Sequence, residues 1–175
     1  MKQLTVLLFI LITTQLNAKM LISPFDAMQE NFGAKTKIVK KNILLKNDQA
    51  KNIQKSAKIK LKSKIFKTFK AMNGKNIIGY GIIVNRKVRS KNAVVLYMIS
   101  NNGVLKSMEI IAFNEPMEYI PSKIWQKQFK DIPTTKKLRL NKDIPTITGA
   151  TLSAKSIVDG SRIAFAFYDE VLKGK

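Results

Sequence analysis

Two apolar runs separated by Asn101-Asn102-Gly103 constrain this chain more than any other feature. Ala93 to Ile99 is continuously apolar, long enough for a buried strand, and Val104 to Phe113 returns with Lys106 and Glu109 among apolar residues. Asn-Gly readily takes the positive φ angles of a tight hairpin, so the two runs read as adjacent antiparallel strands. Ile77 to Val84 reads as a further strand, with Gly79 and Gly81 marking a bulge or a close backbone approach. The centre of the chain is therefore expected to be an antiparallel sheet.

The flanking segments carry helical signals. Ser23-Pro24 suits the N-cap and first position of a short helix closed by Gly33. Ile38 to Leu45 reads as a strand. Asn47-Asp48 can cap a short helix with Ala50, Ile53 and Ala57 on one face. Ile65, Phe66 and Phe69 mark another strand or edge element. Glu115 to Pro121 is an irregular connection, Ser122 caps a short helix carrying Ile124, Trp125 and Phe129, and 131–145 is loop-like. From Leu152 to Leu172, Ile157, Ser161, Ala164, Phe165, Tyr168, Val171 and Leu172 recur at helical spacing, with Asp159, Arg162, Asp169 and Lys173 on the other face. The expected fold is α+β: one domain over 19–175, an antiparallel sheet with flanking helices and a long C-terminal helix.

Composition narrows the chemistry. The 175 residues include 32 basic and 11 acidic side chains, a net charge of +21, and 28 of the basic residues are Lys. There is no Cys and no His. Disulfides, cysteine-bound clusters, haem attachment through C-x-x-C-H and the ordinary zinc sites are thereby excluded. So is nucleophilic catalysis by Ser–His or Cys–His pairs. The charge is concentrated in 35–75, where 14 Lys face a single acid, Asp48.

The N-terminus bears on how that charge is read. Lys2, the apolar run Leu4 to Thr14 and the small residue Ala18 have the layout of a secretory signal cleaved after Ala18. The apolar run is well short of the roughly 20 residues a spanning helix needs. Residues 1–18 are thus expected to direct export to the periplasm. There an anionic membrane surface, an acidic protein or an anionic envelope polymer is a fitter partner than nucleic acid. Lys dominance agrees, because Arg is the better fork for phosphate and base edges.

Immediately before the last helical segment stands Thr148-Gly149-Ala150-Thr151-Leu152-Ser153. Gly149 and Ala150 leave backbone uncovered, hydroxyls surround them, and Thr151 sits where free N–H groups and the positive end of a helix dipole meet. A phosphate fits that description. So does a plain N-cap at Thr148 or Thr151.

The segment resembles the [ST]-G-A-[ST]-x-[ST] motif of the FMN-binding domain family, which includes flavin-carrying subunits of the sodium-translocating NADH:quinone reductase and the Rnf complex, and small exported proteins. The hairpin, Glu115-Pro116-x-Glu118-Tyr119, Trp125 with Phe129 and the terminal helix extend the resemblance. It implies FMN held covalently through a phosphoester on Thr151, attached by an FAD:protein FMN transferase, and electron transfer between redox partner proteins rather than stand-alone catalysis. Thr148, Gly149, Ala150, Leu152 and Ser153 then form the attachment loop. Met117, Tyr119 and Trp125 are expected to pack on the flavin ring or in the core. Glu115 and Glu118 are expected to contact the flavin or to balance nearby Lys. No metal is implied. The family usually has Asp six residues before the modified Thr; this chain has Pro145 there, with Asp143 two residues earlier. FMN held without the covalent bond, and a basic exported module that binds anionic membrane or polymer without flavin, are the alternatives.

Overall fold

The computed structural model describes residues 20–174. The signal-sequence expectation, including cleavage after Ala18, falls outside the described residues. Ten helices and strands follow in order: α1 (Pro24–Phe32), β1 (Lys37–Leu44), α2 (Asn47–Ala57), β2 (Ile65–Asn73), β3 (Asn76–Lys87), β4 (Asn92–Ser100), β5 (Val104–Phe113), α3 (Lys123–Gln126), β6 (Ile132–Pro133) and α4 (Thr151–Phe167). The strands form one antiparallel sheet in sequence order, β1 to β6. The fold is α+β, as the sequence predicts.

Asn102-Gly103 closes the β4–β5 hairpin, with Gly103 at φ +80°. A second Asn-Gly, Asn73-Gly74, turns β2 into β3 by the same chemistry. β4 explains why its sequence does not alternate. Ala93, Val95, Tyr97 and Ile99 join the core beneath α2 and α4. Leu96 and Met98 join the core beneath α1, with Ala27, Met28 and Phe69. A strand covered on both faces has no position left for a polar side chain.

Both readings of the β3 glycines are realised. The β2–β3 register slips between Ala71 and Met72, which pair with Gly79 and Ile77. A Cβ on Gly79 would lie 2.2 Å from the Phe32 ring, and one on Gly81 2.6 Å from Met28 Sδ. Their missing side chains let α1 lie directly on the sheet. Ser23 caps that helix as expected, its Oγ accepting the Phe25 N–H at 3.2 Å. At α2 the expectation needs correcting. Asn47 and Asp48 lie inside the first turn, Lys46 holds the N-cap position, and Gln49 Oε1 accepts its N–H at 3.0 Å.

The C-terminal helix also departs from the simple two-face reading. It starts at Thr151, and its last turn, Tyr168–Leu172, is π-helical. Asp159 is buried, not solvent-facing. Its carboxylate gathers Arg86 of β3 (3.3 Å), Lys155 (2.6 Å) and Arg162 (3.6 Å). Arg162 also donates to the Ala57 carbonyl at the end of α2. Because α4 is covered by the sheet on one side and by α2 on another, the Asp159–Arg162 part of its polar stripe is drawn into an ion-pair cluster, while Asp169 and Lys173 stay exposed. The 131–145 stretch is irregular apart from the two-residue β6 and an isolated Leu140–Ile144 bridge.

Candidate functional site

Ile147 to Ala150 makes a β-turn, with the Ala150 N–H donating to the Ile147 carbonyl at 3.0 Å. Gly149 occupies the third position at φ +76°, where a side chain is strained even though a Cβ would meet nothing within 4 Å. Ala150 is the N-cap of α4, and no side chain caps the first turn. Neither Thr148 nor Thr151 acts as the cap. Thr151 is the first helical residue and is exposed, its Oγ1 donating to the Ile147 carbonyl at 3.3 Å. The first N–H groups of a 17-residue helix are therefore without a side-chain acceptor, the arrangement that suits an anion.

These residues line one side of an open cleft of about 240 Å³. Gly149, Ala150, Thr151, Leu152 and Ser153 contribute from the turn and helix start. Val88, Arg89, Glu115 and Tyr119 contribute from across it. Residues 30 or more positions from the motif in sequence thus meet it at the cleft.

Glu115 is nearly buried and shapes the opposite wall. Its Oε1 accepts the backbone N–H groups of Arg89 (3.0 Å), Ser90 (2.6 Å) and Lys91 (2.7 Å), and the Ser90 hydroxyl lies 3.3 Å from Oε2. The hydrogen bonds, that from Lys91 foremost, hold the carboxyl below its ordinary range despite the opposing effect of burial. Glu115 therefore pins the β3–β4 turn and sets Val88 and Arg89 against the cleft. The Arg89 guanidinium makes no hydrogen bond or ion pair among the described residues.

The other expected residues lie differently. Trp125 is buried and does not line the cleft. Its Nε1 donates to the Pro145 carbonyl at 2.9 Å, and its ring packs 5.2 Å from that of Phe129. It anchors the segment that leads into the Thr148–Ser153 loop. Ser122 caps α3 as expected, accepting the Trp125 N–H at 3.2 Å. Met117 and Glu118 lie exposed on the 3-10 turn Met117–Tyr119, outside the cleft lining, and Thr148 is exposed at the turn. Asp143 is engaged elsewhere, accepting the Arg139 backbone N–H at 2.9 Å and pairing with Lys136 at 3.7 Å. Val88 and Arg89 are the members the motif does not announce. The scarcity of Arg, four among 32 basic residues, is the only trace of Arg89 in the sequence.

Comparison with protein-family models and with curated proteins finds no match to this chain.

Proposed function

We propose that the chain is an exported flavoprotein that carries FMN through a phosphoester on Thr151 and passes electrons between envelope redox partners. The supporting observation is the cleft itself: an exposed threonine hydroxyl at the uncapped start of α4, opposite an arginine whose guanidinium has no partner among the described residues. That set suits a phosphate. Leu152 N–H and Ser153 N–H belong to the helix turn that would receive its charge, and Arg89, exposed across the cleft, supplies a counter-charge. Gly149 keeps the approach to Thr151 free of side chains.

The cleft's volume of about 240 Å³ is below the roughly 300–1,000 Å³ of pockets that enclose a ligand. It suits the phosphate end of FMN and leaves much of the ring system outside, where protein partners can reach it. Bound FMN would supply the one- and two-electron chemistry that a chain without Cys or His lacks.

The residues around Thr151 offer no base to activate its hydroxyl. Glu115 is the carboxylate lining the cleft, and hydrogen bonds that hold its pKa down also make it a weak base. Attachment therefore depends on the transferase, and FMN mixed with the chain alone leaves Thr151 unmodified. The test is flavin absorbance that stays with the chain through denaturation and desalting after co-expression with an FAD:protein FMN transferase. Colour lost on denaturation supports non-covalent FMN; a chain that is colourless before denaturation overturns the proposal.

A further inference from the structure

The sheet divides at one end. β2 pairs with β3 only from Thr68, opposite Ile82, to Asn73, opposite Asn76. Beyond that point Ile65, Phe66 and Lys67 pair with β1 alone, and Ile83 to Lys87 pair with β4 alone. A cleft of about 450 Å³ occupies the split, closed on one side by the Lys60–Ser63 segment between α2 and β2. It shares no lining residue with the Thr151 cleft. Its volume falls within the range of ligand pockets.

The lining has two parts. Phe66, Ile83, Val84 and Val94 give it apolar walls. Lys60, Lys62, Lys67, Lys87 and Arg86 add positive charge, and no acidic residue lines it. The four Lys make no ion pair among the described residues. Arg86 is paired with Asp159, yet its Nε is buried without a hydrogen-bond partner. Ile65, a further apolar residue of the lining, is the register partner of Leu44 just outside it, and the two stand 63% and 71% exposed. Two large apolar side chains held side by side in water, at the edge of a cleft lined by lysines, are a surface for an amphiphile rather than for a fully hydrated anion. Lysine suits this role, since its apolar stem lies along the hydrophobic part while its ammonium stays at the anionic boundary.

We infer that the β2–β3 split is a binding site for an anionic phospholipid. The headgroup phosphate lies among Lys60, Lys62, Lys67 and Lys87, and the acyl region lies against the apolar walls and the Leu44–Ile65 pair. This site stands independently of the flavin reading, because it shares none of its residues. It narrows the general attraction of a +21 chain for anionic surfaces to one place on the molecule.

The experiment is calorimetric titration of the full chain with dihexanoyl phosphatidylglycerol below its micelle concentration. One saturable site is expected, with dihexanoyl phosphatidylcholine and glycerol phosphate each binding at least tenfold more weakly. Lys60→Glu with Lys62→Glu should weaken phosphatidylglycerol binding at least tenfold. Lys127→Glu with Lys130→Glu, the same charge change on residues outside the cleft lining, should alter it less than twofold. Leu44→Ser with Ile65→Ser leaves the net charge unchanged and, both side chains being exposed, the core intact; it should weaken binding at least threefold. Equal affinity for phosphatidylcholine or for glycerol phosphate, equal loss in the two charge-reversed pairs, full binding by the serine pair, or the absence of saturable binding would each overturn the site.

Discussion

β1 and β4 belong to one sheet but live in different physical settings. β4 has six of nine residues buried, whereas β1 has none buried and only Ile38 and Ile43 half-covered. The sequences follow. β4 is apolar at almost every position because helices cover both its faces, while β1 carries Lys37, Lys40 and Lys41 along an unpaired edge. Charged side chains on an edge strand discourage pairing with another chain. The Lys-rich part is thus folded material whose outer face is given to charge. The buried half holds the shape on which the Thr151 cleft depends, since α4 and the β3–β4 turn both rest on it.

The comparison can be broken most forcefully at Leu96, which is fully buried beneath α1. Leu96→Ala is expected to cost about 2–5 kcal/mol in denaturant unfolding, the usual range for a large-to-small core change. A loss below 1 kcal/mol would mean that β4 is not the tightly packed strand described. Gly160→Ala should come next. It improves helix propensity, but its Cβ would lie 2.3 Å from the Tyr97 hydroxyl, which donates to the Ile157 carbonyl at 2.7 Å. Overpacking of about 1–3 kcal/mol is expected to outweigh a propensity gain of about 1 kcal/mol, so the net change should be destabilising. A stabilised variant would show that α4 does not lie on β4 as described.

Glu115 tests the wall of the cleft through pH. Its folded pKa lies below its ordinary 4.5, so its contribution is complete above that value and is lost as pH falls through the folded pKa. Melting temperatures between pH 6 and 3 should therefore fall more steeply for the wild type than for Glu115→Gln. Parallel curves would contradict the hydrogen bonding of the 89–91 backbone. The smallest effect belongs to the edge: Val39→Ala on β1, 40% exposed, should change stability by no more than about 0.5 kcal/mol. A loss comparable to that of Leu96→Ala would erase the distinction between the two strands.

Much of this architecture is legible in local sequence. The hairpin at Asn102-Gly103, the Ser23 and Ser122 caps, the close-approach glycines of β3 and the start of the last helix all follow from one or two residues each. Asn73-Gly74 carries the same hairpin signal. Gly149 to Ser153 of the motif and two of its expected partners, Glu115 and Tyr119, meet at the cleft, while Thr148 stays outside its lining. The remainder depends on distant contacts that no periodicity encodes. Asp159 looks solvent-facing on a helical wheel because its partner Arg86 comes from a strand 73 residues away. Arg89 reaches the cleft only because Glu115, 26 positions on, gathers the turn that carries it. Trp125 has the composition of a ring-packing residue, yet its indole N–H is committed to a carbonyl 20 residues downstream.

The central proposal, a flavin on Thr151, is tested most directly by the mass of one tryptic peptide. Cleavage after Lys142 and Lys155 isolates 143–155, which contains the whole motif. After co-expression with an FAD:protein FMN transferase, this peptide should gain the mass of one FMN less one water, with fragmentation assigning the gain to Thr151. Thr151→Ala should abolish the gain while costing no more than about 1 kcal/mol of stability, since the hydroxyl is exposed and makes only one long hydrogen bond. An unmodified wild-type peptide, or covalent flavin retained by the Thr151→Ala chain, would contradict the assignment.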